Sequence, residues 1–275
     1  MIMHNLRSAL LLSASLACLG EASAQGVALP FDSFLTVGGN YTRVNFKPKG
    51  DPSFNGNMGG VHGKYEYRPE NAIYAAIELD WRQGSMDGSA GKRTLCDVNT
   101  AEKIGYTWSC DCLLFTAYTG FGFRYLGHHF EPSSSSGPLF NGSFFPPFLS
   151  SSTSLKFRYY EFYAPLGFLS EYDFNSWFSV GVNFQWMPQI FPTVKIEPLG
   201  GACWDLSYTF GNFLVEVPFN FNLTQCGDWT LSLIPFYERW QDGHSTAKTS
   251  GGIPLGLPEN TYNFYGVDLN VTYSF

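Results

Sequence analysis

Five histidines and a scatter of carboxylates are the residues of this chain that suit proton transfer. Asp80, His128, His129, Asp242 and His244 are the set a hydrolytic centre would draw on. A general base needs its partner within hydrogen-bond reach, and no spacing among these five builds such a pair. His128-His129 is a formal metal pair, but neighbours on a strand point to opposite faces, so both are read as exposed loop histidines. Cys110-Asp111-Cys112 is C-x-C rather than the two-to-four spacing of a zinc pair. No metal, cofactor or catalytic constellation is therefore expected, and the chain is read as a non-enzyme.

The elements that carry these residues are strands. Only 14% of the chain is charged and 18% is aromatic, against about 25% charged in average soluble domains. Residues 1–24 read as a secretory signal: Arg7 is the positive end, Ala9 to Leu19 the short apolar run, and Ala22-Ser23-Ala24 the cleavage site. A lipoprotein signal ending on Cys18 is the rival reading, against which Ser15 stands where a lipobox has Leu. No later run of about 18 apolar residues follows, so no transmembrane helix is predicted. The formal net charge of −7 and the lack of a basic block argue against nucleic acid.

From there the dominant signal is alternation with period two, in segments of about 9–14 residues, near the length a tilted strand needs to cross a bilayer. Tyr265, Val267, Leu269, Val271, Tyr273 and Phe275 form one face of the last segment; Gly266, Asp268, Asn270, Thr272 and Ser274 form the other. The pattern recurs at 73–82, 115–125, 178–186 and 213–221, and more weakly near 33–46, 58–69, 156–167 and 229–240. The segment near 94–107 is the least regular. A soluble sandwich could alternate in the same way. Bulky groups on the apolar face, aromatics at its ends and glycines opposite instead fit an antiparallel up-and-down transmembrane β-barrel, spanning residues 25–275. Short connections are expected near 68–71, 108–112, 168–175 and 222–228, and long ones near 47–56, 84–93, 128–153, 190–203 and 241–260. That gives about ten strands, with eight or twelve open, and both termini periplasmic.

Alternation then turns Lys64, Glu66, Arg68, Glu78, Asp80, Arg82, Arg124, Glu161, Glu216, Glu238 and Asp268 inward. A barrel of about eight strands is filled by its side chains, while 16–18 strands leave a channel. Ten strands lie near the filled end, so a paired charge plug is expected, with a narrow gated pore as the alternative. Both signs of charge predict no strong ion selectivity.

Three stretches carry a family resemblance: Thr119-Gly120-Phe121-Gly122-Phe123-Arg124-Tyr125-Leu126, Ile234-Pro235-Phe236-Tyr237-Glu238-Arg239-Trp240, and the close from Asn263 to Phe275. With them the chain resembles the small outer-membrane β-barrel proteins of Gram-negative bacteria. The resemblance implies Sec export, residence in outer-membrane lipid, and an assembly signal at Val271, Tyr273 and Phe275 read by the barrel-insertion machinery. It implies a structural or weakly pore-forming envelope protein. A surface adhesin acting through long outer loops is the first alternative, with Ser133-Ser134-Ser135-Ser136 and Phe144-Phe145-Pro146-Pro147-Phe148 as its adhesive candidates. An outer-membrane protease or other hydrolase is the second, although the protease motifs are not matched.

Cysteines are unusual in such barrels, yet Cys96, Cys110, Cys112, Cys203 and Cys226 follow the signal. Exported proteins meet an oxidising compartment, so all five are candidate disulfide formers. Cys110, Cys112 and Cys226 are expected in periplasmic turns, and Cys96 and Cys203 near outer loops. A bridge needs Cα atoms within about 7 Å and cannot cross the apolar band. An odd count also leaves at least one thiol over, which points to cross-links to other envelope proteins, resembling the disulfide-linked envelopes of some obligate intracellular bacteria; unpaired or internally paired cysteines are the alternative.

Overall fold

The computed structural model describes residues 32–133, 154–197, 203–224, 227–245 and 257–275. The signal segment, Cys226, Ser134-Ser135-Ser136 and the Phe144–Phe148 cluster lie outside the described residues.

Fourteen strand segments form one antiparallel sheet: β1 (Ser33–Pro48), β2 (Phe54–Tyr67), β3 (Ile73–Gly88), β4 (Gly91–Cys110), β5 (Leu113–Pro132), β6 (Leu155–Tyr163), β7 (Leu166–Asn175), β8 (Phe178–Trp186), β9 (Thr193–Glu197), β10 (Cys203–Asp205), β11 (Phe213–Glu216), β12 (Phe219–Asn222), β13 (Trp229–Asp242) and β14 (Asn260–Ser274). They combine into ten staves of a closed barrel. β6 and β7 share one stave against β5: Gly122 pairs with Tyr163, and Thr119 with Leu166 in the same register. Pro165 separates them because it has no N–H for the ladder. β8 and β9 form the next stave across Pro188 and Pro192, with a one-residue register shift relative to β7 and β6. β10, β11 and β12 form the eighth, interrupted before Pro218. The barrel closes where β1 pairs with β14, from Phe34 opposite Ser274 to Pro48 opposite Asn260.

One end carries the start of β1, Phe275 and the turns at 68–72, 111–112 and 176–177; the other carries 49–53 and 89–90 and the strand ends at Pro132, Leu155, Glu197, Cys203, Asp242 and Asn260. We call these the turn end and the loop end. Bacterial barrels keep short turns on the periplasmic side. Asn71 and Asp111 adopt φ of 51° in their turns, a left-handed conformation that Asn and Asp tolerate better than other side chains.

Three sequence-based boundaries are corrected. The connection expected over 84–93 is a two-residue turn at 89–90, capping strands that continue past the membrane. Residues 168–175 are strand β7, and the turn follows at 176–177. The 190–203 connection contains β9 and shrinks to 198–202. The least regular segment, 94–107, lies within β4, which at 20 residues is as long as β5.

Outward side chains make an apolar belt that includes Leu35, Val37, Val61, Ile77, Leu79, Phe121, Leu233 and Leu269. Trp229 against Tyr273, 4.9 Å between centroids, and Tyr273 against Phe275 mark its turn-end rim. Tyr237 against Tyr265, at 5.0 Å, and Tyr125 against Tyr160, at 5.5 Å, mark its loop-end rim. The step from Tyr265 to Tyr273 is about 27 Å of strand at roughly 3.4 Å per residue. Tilted by about 40°, that gives a belt near 21 Å, close to the usual ~25 Å. One charge interrupts it: Glu102 is exposed on the outer face between Ile77 and Phe121.

Candidate functional site

The interior divides into two halves. In the loop-end half a chain of charges crosses the lumen from one wall to the opposite one. Arg124 on β5 donates twice to Asp97 on β4, at 2.8 and 3.0 Å, and lies 3.7 Å from Glu161 on β6. Asp97 also meets Arg82 on β3 at 3.4 Å, and Arg82 reaches across to Glu238 on β13 at 2.7 Å. Glu238 in turn accepts the indole N–H of Trp240. Arg124, Glu161 and Trp240 are fully buried, and Asp97 nearly so. Aromatic faces cover the guanidiniums: Arg124 lies 4.4 Å from the Trp240 centroid and Arg82 5.1 Å from that of Phe264. Such contacts strengthen when desolvated. Tyr163, on β6 with Glu161, packs on Trp240 at 5.3 Å and donates to Asn99 at 2.8 Å. Gln189 donates to both Glu161 and Asp242.

Nearer the loop end, Arg93 stands among the rings of Phe46, Phe54, Phe130 and Phe157, at 4.5 to 5.6 Å. It donates to His128 Nδ1 at 2.8 Å, which leaves the ring proton of a neutral imidazole on Nε2, facing the Tyr262 hydroxyl at 3.3 Å. His128 is thus a buried strand residue, 3% exposed, and not an exposed loop histidine; β5 runs on through residues 128–132, which the sequence reading gave to the loop. Beside it, burial raises the Asp51 carboxyl while the Arg93 charge pulls it down. At the surface, the hydrogen bond from Lys49 holds the Glu259 carboxyl below its usual range.

The turn-end half holds a cavity of about 580 Å³. Its lining runs from Asp80, Asn99 and Tyr163 beneath the plug to Cys112, Asn175, Ser176 and Gly227 in the turns. Charges there are paired along the walls. Lys64 pairs with Glu66 and lies 3.7 Å from Glu78, and Lys103 meets Glu78 at 2.6 Å. His62 Nδ1 lies 2.8 Å from Asp80. Arg68 binds Glu66 at 3.2 Å and, across the lumen, Glu171 at 2.8 Å. Glu171 also accepts from Ser179 and Asn220. Glu216 accepts from Asn183 at 2.6 Å.

All eleven charges expected inside face the lumen, divided between the two halves: Arg82, Arg124, Glu161 and Glu238 in the plug, Lys64, Glu66, Arg68, Glu78, Asp80, Glu216 and Asp268 around the cavity. The reading missed Asp97 and Lys103, because β4 also turns Thr100 and Glu102 outward and blurs the contrast between its faces. It missed Glu171 by placing it in a turn. His62 was inside an expected strand and was passed over. The hydrolytic set does not converge: Asp80 bonds His62, His128 bonds Arg93, Asp242 bonds Gln189, and His244 bonds Ser207 at 3.1 Å. Among the described residues, no group of three or more His, Cys, Asp or Glu is placed to hold a metal. Cys96 faces outward from β4, Cys203 opens β10, and Cys110 and Cys112 flank the turn at Asp111; all four are free thiols. Val271, Tyr273 and Phe275 line up on the outer face of β14 and its end.

A closed ten-stave wall with an apolar belt and two aromatic rims defines the class: an outer-membrane-type β-barrel. No family model matches the sequence, and no curated protein matches it either. The fold is similar to that of the outer membrane protease OmpT from Escherichia coli, at 11% identity over 91% of this chain and 99% of that one, with a TM-score of 0.60. Weaker likenesses include the translocator domain of the autotransporter NalP from Neisseria meningitidis (11% identity, 99% and 96% covered, TM-score 0.46). Another is the transport unit of the autotransporter AIDA-I from Escherichia coli (10% identity, 94% of each chain, TM-score 0.47). At these identities the likeness establishes the fold alone.

Proposed function

We propose that the protein is an integral, non-enzymatic barrel of the Gram-negative outer membrane, structural in role and closed to solutes. The observation that carries this reading is the chord from Glu161 through Arg124, Asp97 and Arg82 to Glu238, buried and joined by Trp240 and Tyr163. Side chains from five staves meet there. A solute would have to break charge-assisted hydrogen bonds in a low-dielectric interior. The dispersal of Asp80, His128, Asp242 and His244 supports the non-enzymatic part. The belt and rims support outer-membrane residence, reached by Sec export and the barrel-assembly machinery, with Val271, Tyr273 and Phe275 as the signal. Planar-bilayer recording of folded protein tests the closed lumen: steady silence is expected, and regular conductance steps in the wild type would overturn it.

One observation favours a partner. Cys110 is an exposed free thiol in a turn of the end read as periplasmic, which supports disulfide cross-links to other envelope proteins. Non-reducing electrophoresis of native membranes should show a higher band that Cys110→Ser shifts or removes. A monomer alone sinks the idea.

A further inference from the structure

The cavity in the turn-end half has an uneven charge balance. Facing or adjoining it are seven carboxylates: Glu66, Glu78, Asp80, Glu171, Asp173, Glu216 and Asp268. Against them stand Lys64, Arg68, Lys103 and, when protonated, His62. Each of these cations is already committed: Lys64 and Lys103 to Glu66 and Glu78, Arg68 to Glu66 and Glu171, His62 to Asp80. Arg82, the lowest cation of the plug, is tied to Glu238 and Asp97. Besides Asp173, near the turn at 176–177, two acids remain. Glu216 accepts one hydrogen bond, from the neutral amide of Asn183. Asp268 is 8% exposed, lines the cavity, and its Oδ1 has no hydrogen-bond partner. Neighbouring Asn270, 2% exposed and also lining the cavity, leaves its Oδ1 unpartnered too. A buried carboxylate persists only with a counter-charge or a proton.

The two acids sit on either side of one stave. Asp268 on β14 pairs in register with Ile234 on β13, and Glu216 on β11 pairs with Phe236 of that same strand. Ile234 lines the cavity between them, with Leu214 and Pro218 beside it. Two acceptors thus flank an apolar strip, in a space within the usual size range of small-molecule pockets. A metal ion is a poor match, because no three ligating groups converge among the described residues. We propose that this cavity binds a small organic ammonium compound from the periplasmic side, with Asp268 and Glu216 holding its charge and Ile234 its methylenes. The site is separate from the plug, so binding and conductance are independent readouts.

Isothermal titration of the folded full-length barrel in detergent micelles with 1,4-diaminobutane tests this. Saturable binding of one molecule per chain is expected, with 1,4-butanediol giving none. Asp268→Asn and Glu216→Gln should each weaken it at least tenfold, whereas Glu102→Gln on the outer wall should leave it unchanged. Ser232→Phe, which puts a ring into the cavity and leaves both acids in the chain, should abolish it and serves where Asp268→Asn does not fold. The heat-dependent gel shift of an intact barrel reports folding in every case. No saturable binding by folded wild type, equal affinity in the acid variants, or displacement by calcium alone would overturn the proposal.

Discussion

The two halves of the lumen use the same residue types to opposite ends. In the loop-end half Arg124, Asp97 and Glu161 are wholly enclosed and capped by Trp240 and Phe264. In the turn-end half Lys64, Glu78 and Asp80 keep 17 to 25% of their side-chain surface and border a cavity. A charge costs little to hold where water reaches it and much where it does not. The first half is therefore a desolvated, fully paired network, and the second a cup whose charges stay partly exposed. The aromatic content of each half sets the difference: Phe46, Phe54, Phe264, Tyr262 and Trp240 exclude water from one. The other is walled largely by Thr36, Asn220, Ser232, Asn270 and Thr272.

That contrast can be broken by substitution. The largest loss is expected from Arg124→Ala, which strands Asp97 and Glu161 and should cost about 4 kcal/mol of unfolding free energy. Urea titration of vesicle-embedded protein measures it, and the triple variant Arg124→Met, Asp97→Leu, Glu161→Gln should recover most of the loss. Trp240→Ala follows at about 3 kcal/mol, and it should also give the first conductance steps in planar bilayers. Silence from a folded Trp240→Ala barrel would mean that the charges alone close the lumen. Arg68→Gln in the cup should cost less, about 1.5 kcal/mol, since water can replace part of what it gives Glu66 and Glu171. A loss as large as that of Arg124→Ala would erase the distinction between the halves. Smallest, and opposite in sign, Glu102→Leu should stabilise the protein by about 1 kcal/mol in lipid, because it removes a carboxylate from the apolar belt. A destabilised variant would mean that Glu102 has a partner at the barrel surface.

The barrel, its ten staves and the inward set were legible because a two-residue period needs no tertiary information. β14 shows this best, alternating without fault from Tyr265 to Phe275. What was illegible follows from two causes. Ser85, Asp87 and Gly88 look like a loop because β3 and β4 run past the membrane, where the outward face no longer needs to be apolar. His128 was misread for the same reason: its strand continues beyond the belt, and its polar neighbours suggested solvent. A plug was expected, but its pairings were illegible because it is made of chords. Arg82 and Glu238 are joined across the lumen, and no local pattern relates positions so far apart in the chain. The division of the inward charges into a sealed half and an open half is a property of the aromatic residues between them.

Pro165, Pro188, Pro192 and Pro218 fall at the breaks of three successive staves, while β13, which keeps its pairing across Pro235, and β14 and β1 to β5 run unbroken. Each proline removes an N–H from the ladder. The cylinder therefore has a grain. Most of its circumference is a continuous ladder, and one sector, away from the β1–β14 closure, is interrupted. That sector is expected to take up the mismatch when a bilayer thins or thickens around the protein. Amide exchange across it should be faster than across β14, and uniform exchange around the ring would show the shell to be evenly stiff.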